Sequence, residues 1–404
     1  MHILKKYQKI LANIFWSNVK NITLTLSSVI ISIFFVRSGN IDLYGQYLFV
    51  IGVIGIVSIV SIPGVKTAIF KAVSQGHDLS YITGTQFSFK WGLLAVPILL
   101  VAGCIYFIWF NKILGGAIIV SAILIPFIHS ITTWQSYLKG KSQFRKLALW
   151  EAIKTSLQST AVVISMILTN NLIIVIVSYL SVITIFNLIF SKIINNQIVN
   201  TSVAKNLIKD SYSLTLLNFS DLIFGRMDIV LIGIFVESSQ IAVYGLVMKF
   251  VDIFIKVISS AIVAISPKIW TKKSLRLSSF YRFFIISAIF PIIIFHFLEY
   301  PINLLYGSGM GDVVKYSQIY MFIVPIYFVL STVETFLIRN NLLKEMNRTR
   351  LAATILVCIC YIVLIPKIGV LGGVYGSMIY YLFIAISYFY YYRKNTKLIP
   401  NENH

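Results

Sequence analysis

At 404 residues, 58% of them hydrophobic and only 12% charged, with a mean hydropathy of +0.87, the chain is far too apolar to be a water-soluble domain of its length. Its net charge of +21 is parcelled out among the links between apolar runs. No basic face with interleaved aromatics forms, which excludes a nucleic-acid-binding role and directs the charge to membrane topology and anionic lipid headgroups.

The first apolar run follows Lys5, Lys6 and Lys9 and continues to Val36 without an A-x-A-like cleavage site, so it reads as a signal anchor that stays in the membrane. Runs near 20 residues cross a hydrocarbon core of roughly 30 Å. On that measure twelve spans are expected, at about 13–36, 46–68, 87–110, 113–136, 147–169, 171–191, 211–236, 240–266, 280–299, 316–338, 350–366 and 370–392. The runs are continuous and lack period-two alternation, so the expected fold class is an all-α integral membrane protein and not a membrane barrel. The longest link on the less basic side, Tyr300 to Lys315, is too short for a folded domain.

Twelve spans place both termini on one side, and the links on that side hold nearly all the basic residues. Examples are Lys139, Lys141, Arg145 and Lys146; Lys268, Lys272, Lys273 and Arg276; and Arg339, Lys344, Arg348 and Arg350. The opposite links carry only Arg37, Lys112, Lys315 and Lys367, so the termini are expected in the cytoplasm.

Shifting the chain against itself by about 200 residues brings Tyr44-Gly45 onto Tyr244-Gly245, with Pro63 and Pro267 at similar distances downstream. Two six-helix bundles follow as the expectation, residues 1–200 and 201–404, joined by the polar link Ser191 to Lys209. Repeats of like orientation are related by an axis along the membrane normal and share a central cavity.

No phosphate-binding loop, H-E-x-x-H, G-x-S-x-G or dinucleotide fingerprint is present, so neither an ATP-driven pump nor an enzyme of those classes is expected, and no cofactor. Cys104, Cys358 and Cys360 have no metal-ligand spacing and read as packing residues; no metal site is expected. The informative residues are the ionisable ones within spans, which are costly in hydrocarbon. Asn13, Ser17, Lys20, Thr23 and Ser27 share one face of the first span. Lys20 there either lines a wet cavity or snorkels to the headgroups. In the seventh span Asp221 and Asp228 share a face and Arg226 points elsewhere; in the eighth, Asp252 has Lys249 three residues before it and Lys256 four residues after, and can pair with either. Glu151 and Lys154 form a similar pair in the fifth. Glu334, alone late in the tenth, is the best candidate for a protonatable or cation-binding group unless it reaches the interface. Tyr388, Phe389, Tyr390, Tyr391 and Tyr392, before Arg393 and Lys394, read as an interfacial aromatic belt, and Gly372 and Gly376 as a G-x-x-x-G contact between helices.

Four segments, in this order, resemble the oligosaccharide flippases of the multidrug/oligosaccharidyl-lipid/polysaccharide exporter superfamily, the O-antigen flippases in particular. They are Tyr44-Gly-Gln-Tyr, Arg226-Met-Asp-Ile-Val-Leu-Ile-Gly-Ile-Phe, Val243-Tyr-Gly-Leu-Val-Met-Lys-Phe and Leu364-Ile-Pro-Lys-Ile-Gly-Val-Leu-Gly-Gly. The resemblance implies two six-helix bundles in a MATE-like V around a central cavity, working by alternating access in the bacterial inner membrane. It implies a cargo of oligosaccharide on undecaprenyl pyrophosphate, moved from the cytoplasmic to the periplasmic leaflet, and partners among other polysaccharide assembly proteins. It also places Lys249 where related lipid II flippases carry an Arg in their cavity, and Lys20 in the equivalent first span. On this reading Lys20, Arg226 and Lys249 hold the pyrophosphate, while Asp221, Asp228, Asp252 and Glu334 serve coupling or sugar hydroxyls. Two rivals stand beside it. A drug or cation antiporter of the same superfamily calls for a carboxylate-rich cavity, and a polysaccharide polymerase or ligase calls for a large periplasmic loop.

Overall fold

The computed structural model describes residues 2–198, 201–271, 294–340 and 342–396. Among them every regular element is helical, and ten stretches, from Phe15–Arg37 to Val370–Lys394, are long and apolar enough to cross a membrane. The expected seventh span is also a helix, but the charges along it set it apart from those ten. Most of the expected ninth span, 280–299, lies outside the described residues. The chain divides into two compact units, Met1–Leu222 and Ile223–His404.

The first unit comprises α1 (His2–Arg37), α2 (Ile41–Val57), α3 (Gly64–Ser74), α4 (Ser80–Gly92), α5 (Ala95–Trp109), α6 (Lys112–Ser130), α7 (Trp134–Gly140), α8 (Phe144–Thr169), α9 (Leu172–Asn195) and the first part of α10 (Leu207–Phe235). Helix α1 packs along α8, α5 pairs with α6, and α9 lies against both α6 and α8. The polar stripe of α1 turns inward: Ser27 is buried and Asn13, Ser17, Lys20 and Thr23 are half-buried, while Phe15, Ile22 and Leu26 are exposed on the other face. Asparagines start two of the spans. Asn111 accepts from the N–H groups of Ile113 and Leu114, and Asn171 from that of Ile173.

In the first unit the helical runs are interrupted between α2 and α3, between α4 and α5 and between α6 and α7, and the first and last of these breaks are stitched by side chains. A short 3-10 turn, Ser58–Ser61, ends α2, and Ile62 turns left-handed at φ 55° before Pro63 opens α3. A second, Ile131–Thr133, separates α6 from α7. Backbone groups freed inside a bilayer have no water to turn to. Here Ser88 Oγ donates to the Ser61 carbonyl at 2.6 Å, Ser130 Oγ to the Ser88 carbonyl at 2.9 Å, and the Thr85 and Thr133 hydroxyls meet at 2.7 Å. Asn187 of α9 accepts from Trp134 Nε1 at 3.1 Å and donates to the Ile128 carbonyl at 3.2 Å, just before the second break.

The second unit holds the rest of α10, then α11 (Ser238–Thr271), α12 (Glu299–Tyr306), α13 (Gly311–Tyr320), α14 (Ile323–Arg339), α15 (Leu343–Ile368) and α16 (Val370–Thr396). Helices α12 and α13 occupy most of the stretch expected as a link between Tyr300 and Lys315. Helices α15 and α16 form an antiparallel pair, and α16 also packs on α14. The expected G-x-x-x-G contact is the seam of that pair: a Cβ on Gly372 would stand 2.6 Å from the Ile365 backbone nitrogen, and one on Gly376 would strike the Tyr361 ring. Tyr44 and Tyr244, the paired positions of the sequence repeat, are each fully buried within their own unit.

Because no side chain fits at Gly376, Gly376→Val is expected to destabilise the α15–α16 pair by about 1–3 kcal/mol through overpacking. Thermal unfolding of the detergent-solubilised protein measures this, with Gly225→Ala, which has open space around it, as the neutral control.

Candidate functional site

In the first unit, charge gathers around a buried ion pair. Lys154 Nζ lies 2.6 Å from Glu151 Oε1, their side chains 8% and 3% exposed. The same carboxylate oxygen accepts from Gln135 Nε2 at 2.7 Å, and the Lys154 ammonium stands 5.5 Å from the Trp134 ring centroid. Lys20 on α1 lies within electrostatic reach of Lys139, Glu151 and Lys154, and Lys66 on α3 within reach of the same three and of Lys20. Four ammonium groups from α1, α3, α7 and α8 thus confront one carboxylate. Desolvating like charges together is costly, so the set is suited to an anion that brings several negative oxygens. Of these residues only Lys20 is among the cations the sequence singled out for binding. Lys66 escaped notice because it follows the Ile62-Pro63-Gly64 break, where the sequence reads as the tail of a span. Lys139 counted only as link charge.

In the second unit, Asp228 is buried, 3% exposed, and hydrogen-bonded at both oxygens. One carboxylate oxygen accepts from the Tyr244 hydroxyl at 2.6 Å, the other from the Ile229 N–H at 2.7 Å. Tyr244 in turn lies 3.3 Å from the Ser377 hydroxyl, which lies 2.8 Å from that of Tyr361. Four helices, α10, α11, α15 and α16, therefore converge on one chain of buried polar groups. Arg226, exposed on α10, is within electrostatic reach of Asp228. On α11, Lys249 is half-buried and Asp252 and Lys256 are exposed, and both Lys249 and Asp252 interact electrostatically with Lys256. The side chain of Asp221 lies outside the described residues.

Glu334 does not stand alone. Arg350 Nη2 reaches its Oε1 at 2.6 Å, and Arg350 Nε donates to the Tyr388 hydroxyl at 3.1 Å. The sequence reading placed Arg350 in a basic link; helix α15 in fact begins at Leu343, which carries Arg350 two turns into the bundle and opposite α14. The same contact corrects part of the aromatic belt. Tyr388 is fully buried with its hydroxyl on Arg350, whereas Tyr390 is 60% exposed. Among the described residues, no three His, Cys, Asp or Glu side chains gather as a metal site.

The fold is that of the transporters of the multidrug/oligosaccharidyl-lipid/polysaccharide exporter superfamily. One similar solved structure is the inward-facing conformation of a multidrug resistance MATE family transporter, with a TM-score of 0.68, 12% identity, and 94% of this chain and 96% of that one covered. Another is the lipid II flippase MurJ in its inward closed conformation, with a TM-score of 0.67, 13% identity, and 94% and 87% covered. A third is a transporter of the same superfamily from Pyrococcus furiosus, with a TM-score of 0.66, 12% identity, and 96% and 95% covered; for that protein a reversed polarity of the binding pocket is described as suggesting a different function. No curated protein matches the sequence. Residues 41–269, more than half the chain, match the model of the polysaccharide biosynthesis protein family, and the chain belongs to that family.

Removing one partner of a buried pair leaves an uncompensated charge. Lys154→Met is therefore expected to destabilise the protein by about 3–5 kcal/mol, and the double variant Glu151→Leu/Lys154→Met to recover only part of the loss, because Lys20, Lys66 and Gln135 then lose the carboxylate they face. Unfolding midpoints of the two variants beside wild type measure both effects.

Proposed function

We propose that this chain is a flippase for an oligosaccharide carried on undecaprenyl pyrophosphate, an O-antigen repeat unit, which it moves from the cytoplasmic to the periplasmic leaflet of a bacterial inner membrane by alternating access, with both termini in the cytoplasm. The observation that carries the reading is the excess of cations held by the first unit, where Lys20, Lys66, Lys139 and Lys154 face the single carboxylate of Glu151. A pyrophosphate crossing a low-dielectric core needs positive charge along its way. Membership of the polysaccharide biosynthesis family supports a saccharide cargo, and the likeness in fold to a lipid II flippase is compatible with a lipid-linked one.

Lys20, Arg226 and Lys249 are the cations assigned to the pyrophosphate. Arg226 supplies a planar fork that can grip two oxygens at once, while the lysines act as point charges. Asp228 and Asp252, with Asp221, are assigned to coupling or to sugar hydroxyls. Glu334, neutralised by Arg350, serves coupling only together with that arginine. The rival, export of cationic drugs, calls for a carboxylate-dominated site, and the charge balance of the first unit runs the other way.

Replacing the native allele by Lys20→Ala or by Lys249→Ala is expected to lower surface polysaccharide about tenfold or more, as loss of a charge-assisted contact implies, with membrane levels of the protein unchanged and drug susceptibility unaffected. Immunoblots of surface polysaccharide and of membrane fractions read this out. Normal polysaccharide in a Lys20→Ala/Lys249→Ala double variant would remove both cations from the site.

A further inference from the structure

Away from the residues assigned to cargo, the start of α8 and the end of α9 enclose an open cleft of about 660 Å³, lined by Gln143, Arg145, Lys146, Leu149, Trp150 and Gln197. Its charge is entirely positive. Lys146 stands 4.6 Å from the centroid of the Trp150 ring and donates to Gln197 Oε1 at 3.2 Å. The exposed Arg145 guanidinium lies 5.6 Å from the Trp16 ring of α1. Trp150 is itself held rigid, stacked on Phe190 of α9 at 4.3 Å between centroids.

Among the lining residues there is no negative charge to balance these cations. The first turn of α8 has no acidic residue, and Gln143 contributes no side-chain cap. Both cations thus occupy the helix end where the backbone dipole is already positive, an arrangement that costs stability unless an anion sits there. Leading away from the cleft, Leu149, Ile153 and Leu157 recur every four residues on α8 and are 45%, 50% and 47% exposed, so an apolar strip runs from the polar head of the cleft along the span. A cationic, aromatic-edged head joined to a hydrocarbon track has the layout of a phospholipid. With no carboxylate among the lining residues, the ammonium of a zwitterionic headgroup finds no counter-charge there.

We propose that this cleft binds the phosphodiester headgroup of an anionic phospholipid from the leaflet at the basic end of the spans. Arg145 and Lys146 hold the phosphate, Gln143 and Gln197 the headgroup hydroxyls, and Leu149, Ile153 and Leu157 carry an acyl chain. None of the lining residues is among those assigned to cargo, and the test needs no transport activity, so the proposal stands or falls independently of the flippase reading.

The test uses the full chain reconstituted in vesicles containing dibrominated phosphatidylglycerol or dibrominated phosphatidylcholine at equal mole fraction, with bromine quenching of tryptophan fluorescence as the signal. Subtracting the Trp150→Phe trace from wild type isolates Trp150 among the six tryptophans. Two cations near the surface, at about 1 kcal/mol each, imply about a thirtyfold preference of that site for phosphatidylglycerol. Arg145→Gln/Lys146→Gln is expected to lose the preference while unfolding at the wild-type temperature in phosphatidylcholine alone. Equal quenching of Trp150 by the two lipids in the wild-type protein would overturn the proposal, and this arm stands even where the double variant fails to fold. A preference that survives in the folded double variant would overturn it too. So would one erased by millimolar inorganic phosphate or pyrophosphate, which would make a free anion the occupant.

Discussion

Inside hydrocarbon, a backbone amide or carbonyl has no partner except another group of the same protein, and the architecture of this chain follows from that constraint. It forces the apolar runs into helices and makes each interruption of a helix a debt that a side chain has to settle. The breaks after α2 and after α6 are where the debt falls due. Hydroxyls from Ser88 and Ser130 and the amide of Asn187 take up the carbonyls near them. The small polar residues scattered through the first unit are thus part of its framework, and the buried Ser61, Ser88, Ser130 and Thr133 mark its irregular places.

Charge obeys the same rule more strictly, and the two units meet it differently. The second unit satisfies its buried carboxylate with hydroxyls, Tyr244 backed by Ser377 and Tyr361. Its other carboxylate of note, Glu334, is neutralised by Arg350. The first unit pairs Glu151 with Lys154 and then sets the further ammonium groups of Lys20 and Lys66 against that same carboxylate.

The fold class and most of the spans were legible because length and continuity of apolar runs are read directly against bilayer thickness. The breaks within spans were not: Ser58–Ser61 and Ile131–Thr133 are turns inside continuous apolar sequence, signalled only by Pro63 in one case and by a run of hydroxyls in the other. That is also why Lys66, one turn past a break, went unread. The Gly372–Gly376 seam was visible from its spacing, since close helix approach needs small residues at i and i+4. Partners across helices were invisible. The hydroxyls around Asp228 and the arginine on Glu334 come from other helices, and no spacing rule links Arg350 to Glu334 or Ser377 to Tyr244.

The wiring of Asp228 bears on any role it has in transport. With one oxygen held by a phenol and the other by a backbone amide, the carboxylate is fixed in place yet keeps a lone pair on each oxygen. A proton or cation settling on the oxygen that faces the phenol weakens that bond and lets the Tyr244 hydroxyl turn toward Ser377. Occupancy there is passed on to α10, α11 and α16, the helices that carry the three groups.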